Sequence, residues 1–211
     1  MERTISVGIS SHARNCRVRF MRGPGVVSTV TYLRDSASRY IDEPEDIEVS
    51  PGELKAAMRQ LAGGVSVVTA GYDDGRTGAT VTSATALSVE PPTIIVNINR
   101  GSSVWSAISR HNHFCVNVLS SGQQSIADRF AGKGGIKGNA RYAGAEWYSL
   151  ESGALALTGA LASVDCAVED VIERHTHAIV IGRVLKIVTG SGEPLLYHNG
   201  SYRLLDVVSG A

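Results

Sequence analysis

The sequence predicts a mainly β fold, a closed barrel with short flanking helices, on three observations. Strand-like runs recur at 65–70, 93–98, 113–119 and 177–189, while few segments carry a helical period. Strands that alternate with so few helices favour a barrel over a doubly wound sheet. No G-x-G-x-x-G follows any of these strands, which removes the Rossmann nucleotide domain.

At 211 residues, 43% hydrophobic and 19% charged, the chain suits one well-buried domain better than two. Its 20 basic and 20 acidic residues cancel and only 6% of residues are aromatic, so neither a nucleic-acid partner nor an oligonucleotide-binding barrel is expected. Cys16, Cys115 and Cys166 are scattered without C-x-x-C spacing, so neither a disulfide framework nor a metal site is expected, and a reducing cytoplasm fits. No apolar run approaches the roughly 20 residues that span a bilayer, and the start of the chain lacks the apolar core of a secretory signal. The expectation is a soluble cytoplasmic protein with no membrane partner.

Residues 1–49 read as an N-terminal extension, expected to be poorly ordered. Positions 1–40 hold seven Arg and no Lys, opposed only by Glu2 and Asp35, and 42–48 is acidic. Such a start matches an organellar transit peptide in composition, with a disordered tail or an upstream start codon as plainer readings. The domain, 50–211, opens at Ser50-Pro51-Gly52-Glu53, where Ser caps a helix, Pro takes its first position and Glu returns as in a capping box. Leu54, Met58 and Leu61 share one face of that helix. Gly63 and Gly64 stop it, 65–70 follows as a strand, and an Asp-Asp-Gly turn at 72–75 leads into the next element.

The run 78–89, GATVTSATALSV, reads as one strand in which Thr80, Thr82, Ser83, Thr85 and Ser88 offer polar edges from an apolar segment. Pro91 and Pro92 end it, because neither donates to a ladder. The next strand, 93–98, is nearly continuously β-branched, the pattern of burial on both faces, and Asn97 and Asn99 stand at its far end. Arg100-Gly101-Ser102-Ser103 then turns into a helix with Val104, Ala107 and Ile108 at helical spacing. A helix start offers free N–H groups and a partial positive charge, Ser adds a hydroxyl and Arg100 a formal charge, so a phosphate is well served there. A plain Ser-capped helix beside a solvated Arg is the alternative.

After an alternating strand at 113–119, a short helix at 123–130 places Ile126, Ala127 and Phe130 on one side. The loop 132–138 holds Lys133, Lys137 and four Gly but lacks the full phosphate-loop pattern. Strands return at 155–168 and 177–189, with 169–174 between them.

In chain order, the run 78–103 and the segments LAGGVSVVTA (61–70), HFCVNVLSSGQQSIADRFAG (113–132), HTHAIVIGRVLKI (175–187) and PLLYHNGSYRLL (194–205) resemble one family. It is the flavin reductase family of FMN-binding split β-barrels, the small reductase partners of two-component flavin monooxygenases. The resemblance implies that Ala79, Thr80, Val81, Thr82 and Ser83 line the isoalloxazine edge and that Ala86 and Leu87 pack on the ring. It implies that Asn97, Ile98 and Asn99 flank the ribityl chain while Arg100, Ser102 and Ser103 hold the FMN phosphate. Asn117 and Phe130 are further flavin contacts by the same likeness, or else a strand-end Asn and a core Phe.

In that family a Gly-Asp-His run precedes the H-x-x-x-x-G strand. Its His is matched by His177, five residues before Gly182, which the resemblance places near the flavin and the nicotinamide as the residue that positions the latter. His175 and Thr176 stand where the family has Gly and Asp, so His175 would have to adopt whatever positive φ the Gly exists to provide. Tyr202 resembles the family's C-terminal tyrosine and either closes the pocket or covers the barrel as a strand aromatic.

The chemistry implied is hydride transfer from NADH or NADPH to FMN, or FAD, with reduced flavin passed to a separate oxygenase. The absence of a Ser/His/Asp set, an H-E-x-x-H motif or a catalytic carboxylate pair suits a reaction whose hard chemistry a cofactor carries. A non-enzymatic flavin-binding protein on the same barrel, for storage, carriage or sensing, is the alternative. The family's habit implies a homodimer.

Overall fold

The computed structural model describes residues 17–19, 31–33 and 49–206, and the chain divides into two compact units, Met1–Val49 and Ser50–Ala211. In the first, β1 (Arg17–Arg19) pairs antiparallel with β2 (Thr31–Leu33), Val18 opposite Tyr32. The extension expected over 1–49 otherwise lies outside the described residues.

The second unit begins with α1 (Pro51–Met58), capped as its sequence predicts: Ser50 Oγ accepts from Glu53 N at 3.2 Å and the Glu53 carboxylate accepts from Ser50 N at 2.8 Å. Hydrogen bonding to its carboxylate from the Ser50 backbone N–H, and then from the Ser50 side chain, holds the Glu53 carboxyl below its usual value. No residue of α1 is buried, and Leu54, Met58 and Leu61 are 58%, 51% and 65% exposed.

Seven strands form the main sheet: β4 (Ser66–Ala70), β5 (Thr77–Val81), β6 (Thr85–Ser88), β7 (Thr93–Asn99), β8 (His113–Val118), β11 (Ala162–Arg174) and β12 (His177–Thr189). Their ladder order is β5-β4-β8-β11-β12-β7-β6. The single strand expected over 78–89 is therefore two, β5 and β6, at opposite edges of the sheet. Only Thr82, Ser83 and Ala84 join them, a reach of about 14 Å from Val81 to Thr85, whereas seven flat strands would set the edges about 29 Å apart. The sheet must curl until its edges nearly meet, closed by covalent chain rather than by a ladder. The closed barrel expected from the strand count is thus split at one seam.

The inward faces confirm the curl. Val68 and Ala70, Val96 and Ile98, Phe114 and Val116, Cys166 and Val180 meet in one cluster, joined by Val104, Ala107 and Ile108 of α2 (Ser103–His111). A Cβ on Gly182 would stand 2.5 Å from Phe114 Cζ, so this interior accepts only glycine there. A second core lies outside β4, where Val65 and Val67 meet Ile126, Ala127 and Phe130 of α3 (Gln124–Phe130) with Tyr142, Leu155 and Leu157. Both helices bury the residues their periodicity predicts.

Three expectations change. Strand β7 buries Val96 and Ile98 but exposes Asn97 and Asn99, so it faces the core on one side only. The strand expected at 155–168 breaks into β10 (Leu155–Leu157), which pairs with β9 (Trp147–Ser149), and β11. Strand β11 then runs on through 169–174 to a two-residue hairpin, with Arg174 opposite His177. Irregularities fall between Asp165 and Cys166 and between Val168 and Asp170, the second adding Glu169 to β11 without a partner. The chain ends as a hairpin, β13 (Leu196–His198) and β14 (Ser201–Arg203), edged by β3 (Gly63–Gly64).

Two buried polar hubs fasten these layers. Asn117, fully buried on β8, donates from Nδ2 to Val67 O and Leu155 O and accepts at Oδ1 from Leu157 N and Ser163 Oγ. His113, also buried, accepts at Nε2 from Gly71 N at 3.3 Å. Its Nδ1–H is thereby the donor to Tyr72 Oη at 2.9 Å, and Tyr72 in turn donates to Ser152 O. Burial lowers the His113 pKa, His111 adds to the depression, and Asp165 opposes it. A His with a depressed folded pKa binds its proton more readily when unfolded, so its stabilising contribution is complete above about pH 6.5 and declines as pH falls through the folded value. His113→Gln is expected to flatten the dependence of the urea midpoint on pH below that point, while lowering the midpoint at pH 8.

Candidate functional site

The face of β7, β12 and β11 turned away from the interior is built in rows by register. Asn99, His177 and Arg174 lie side by side across the three strands at the hairpin end, and Asn97, Ile179 and Ile172 form the next row. Met58 of α1 and Ser83 of the seam complete an open groove of about 650 Å³ lined by Met58, Ser83, Asn97, Arg174, His177 and Ile179. Its size lies within the usual range of roughly 300–1,000 Å³ for small-molecule sites.

The seam borders this groove because Ser83 is clipped to β7, donating to Asn97 O at 3.1 Å and accepting from Asn97 N at 3.3 Å. Edge strands carry backbone N–H and C=O groups unmatched on one side. Ala79, Thr80 and Val81, half-buried on β5, and Thr82, exposed beside it, stand along that edge. The Thr80 hydroxyl itself is committed to Ala127 O at 2.6 Å. Ala86 and Leu87 are exposed on β6 at the opposite edge.

At the far end of β7, Asn99 Oδ1 accepts from Gly101 N at 2.8 Å, and Ser102 Oγ donates to Asn99 O while capping Trp105 N. The first N–H groups of α2, at Ser103 and Val104, precede the helical ladder. Ser103 Oγ is bonded to Thr77 Oγ1 at 2.6 Å. Arg100 pairs with the Glu173 carboxylate and donates from Nη1 to His175 O at 3.0 Å, and its backbone N–H donates to Thr176 O.

His177 is exposed, and its Nδ1 meets Thr176 Oγ1 at 2.9 Å, which leaves Nε2 for a ligand. His175 has φ +49°, the left-handed region. His175, matched to a Gly by the resemblance, thus carries a positive φ on a side-chain-bearing residue, and its carbonyl accepts from Arg100.

Four residues drawn from the resemblance fall away from the groove. Asn117 has no free polar atom and no exposed surface, and Phe130 is 2% exposed against Tyr142 and Trp147. Both lie in the core, away from the groove, the placement the alternative reading gives Phe130. Ile98 is buried in the barrel interior beneath Asn97 and Asn99. Tyr202 packs on the second core and donates to Asp128 Oδ1 at 3.0 Å; partial burial and the Asp128 carboxylate push its pKa up to about 12. Conversely, Met58 and Arg174 line the groove without having been singled out in the sequence. The sequence places Met58 only on the apolar face of α1, and the structure leaves that face exposed.

A curled antiparallel sheet open at one seam, with a groove of small-molecule size and a helix start beside it, defines a split β-barrel. The comparisons with known proteins then fix its family: residues 58–206 match the flavin reductase like domain, and the chain belongs to that family. It is 39% identical over 158 residues to "FMN reductase (NADH) RutF 2" of Methylorubrum extorquens (strain PA1), spanning 74% of this chain and 91% of that one. To the reductase subunit HsaB of a flavin-dependent monooxygenase of Rhodococcus jostii (strain RHA1) it is 35% identical, over 73% of this chain and 77% of that one. The solved NADH:FAD oxidoreductase SgcE6 of Streptomyces globisporus C-1027, in complex with NAD and FAD fragments, superposes with TM-score 0.70 at 26% identity, covering 78% of this chain and all (100%) of the other. Among the described residues no helix is long and apolar enough to cross a membrane.

Two variants separate scaffold from site. Asn117→Ala leaves several buried groups unmatched and is expected to cost at least about 3 kcal/mol in denaturant unfolding, with flavin affinity of the folded fraction unchanged. His175→Gly removes left-handed strain of about 1–2 kcal/mol against a glycine entropy cost of about 0.5–1, a net gain of roughly 0.5 kcal/mol in the same measurement, whereas His175→Val lowers stability by about 1 kcal/mol.

Proposed function

We propose that this protein is an NADH-dependent flavin reductase that delivers reduced FMN to a separate flavin-dependent oxygenase. The observation that carries the reading is the groove at the seam, where a polar edge, an apolar floor and an uncommitted imidazole nitrogen meet in a chain of the flavin reductase family. The names of its relatives favour NADH as donor and FMN as acceptor, and SgcE6 extends the acceptors to FAD. HsaB, a monooxygenase's reductase subunit, supports the oxygenase partner.

In this reading the β5 edge from Ala79 through Ser83 receives the polar rim of the isoalloxazine. Met58 and Ile179 cover its faces and exclude water, and Ala86 and Leu87 pack from the opposite edge. Asn97 and Asn99 flank the ribityl chain. The α2 start, with Ser102, Ser103 and Arg100, takes the phosphate, where helix N–H groups complement an anion. His177 orients the nicotinamide through Nε2, with Thr176 holding its ring. The bound flavin supplies the redox chemistry, and the protein contributes alignment and a dry site. Half-buried Ile95, Ile179 and Ile181 with exposed Leu54, Met58 and Leu61 leave an apolar surface beside the groove, which a second copy in a symmetric dimer would cover.

Purified protein is expected to oxidise NADH when FMN is added and, in stopped-flow mixing, to bleach bound flavin on the turnover timescale. Flavin that binds without bleaching under either NADH or NADPH would overturn the reading in favour of flavin carriage.

A further inference from the structure

We infer that Arg174 is the contact for the diphosphate of the nicotinamide dinucleotide, a specificity-determining residue of this same site; the inference rests on the reductase reading above. Among the groove's lining residues Arg174 is the one with a permanent charge, and no carboxylate lines the groove. It makes no ion pair among the described residues, and its hydrogen bond runs from Nη1 to the neighbouring Glu173 O at 2.8 Å. An exposed guanidinium beside an open groove keeps most of its fork of donors for an incoming anion, with the bidentate geometry that suits phosphate oxygens.

Register separates this cation from Arg100. Glu173 lies opposite Ala178, whose side chain is buried in the interior, whereas Arg174 lies opposite His177. Successive strand residues face opposite sides, so the Arg100–Glu173 pair belongs to the interior-facing side of the hairpin and Arg174 to the groove. Arg100 is neutralised by Glu173 and tied to His175 O. The two arginines are thus differently engaged: Arg100, at the α2 start, is paired with Glu173, and Arg174 stands unpaired next to His177, where the proposed reading puts the nicotinamide. A dinucleotide whose nicotinamide meets His177 carries its diphosphate one ribose away, within the arc a six-atom arginine side chain sweeps from the next strand. The acidic neighbour on the groove face, Asp170, is two rows distant and accepts from its own Val171 N, so it leaves Arg174 unpaired.

The test compares Arg174→Gln and Arg174→Lys with the parent in the full chain. Arg174→Gln is expected to raise KM about tenfold for NADH and for NADPH alike, the worth of one charge-assisted contact, with the loss in KM rather than kcat. The dissociation constant of NAD+ measured by titration calorimetry, a readout independent of turnover, should rise by the same factor, while FMN affinity by fluorescence quenching holds within twofold. Arg174→Lys should recover part of the loss, and the parent's KM for NADH should climb with ionic strength more steeply than the variant's. Loss confined to FMN binding would assign the cation to the flavin phosphate, and loss confined to NADPH would assign it to the 2′-phosphate. Either result, or unchanged NAD+ and NADH parameters in a variant that still turns over, overturns the inference while the reductase reading stands. Parent protein inactive with both donors would sink that reading instead.

Discussion

The architecture of this barrel depends on one unclosed seam. Strands β5 and β6 are neighbours in sequence and edges in the sheet, so the ladder stops where the chain crosses from one to the other. A complete ladder would match every backbone group and leave a smooth apolar wall. The open seam lies beside the groove that Ile179 lines, and Ser83 pins its lip to β7. The tendency of an unpaired edge to recruit a partner, a hazard in most sheets, is in the proposed reading turned toward a small ligand.

Rigidity comes from the layers on either side. Strand β4 is buried on both faces, feeding Val68 to the barrel interior and Val67 to the outer core under α3. Asn117 ties β8 to β4, β10 and β11 through one amide, and the His113–Tyr72 pair joins the turn after β4 to the β9–β10 hairpin. Such satisfied polar networks specify one packing out of many. They also explain why the groove is shaped by its rim residues and not by the core beneath, which has no slack to give.

Local signals were legible in the sequence to the degree that local physics controls them. The capping box at Ser50 and Glu53, the Ser102 cap and the buried faces of α2 and α3 all follow from contacts within a few residues. The seam was not legible, because GATVTSATALSV has strand propensity throughout and the break at 82–84 is imposed by curvature of a sheet assembled from distant segments. Nor was the fate of Asn117: an Asn among hydrophobic residues of a strand looks the same whether its amide faces a ligand or four backbone and hydroxyl partners. His175 was readable in part, since a His in a glycine's place implies strain whenever the backbone there is left-handed. Arg174 escaped notice because the strand was expected to end before it.

The unpartnered Glu169 in β11 has a larger effect than its size suggests. Up to Val168 the even-numbered residues of this strand, Val164, Cys166 and Val168, pack inward; beyond it Val171 takes that place and the even-numbered residues face out. One inserted residue reverses the phase of everything downstream. Were Glu169 instead paired in regular alternation, Glu173 would face the groove and Arg174 the interior, and the groove's mouth would carry a carboxylate in place of a guanidinium. The electrical polarity of the groove's mouth, on which the proposed ligand selection rests, is therefore set by an irregularity of hydrogen bonding further up the strand.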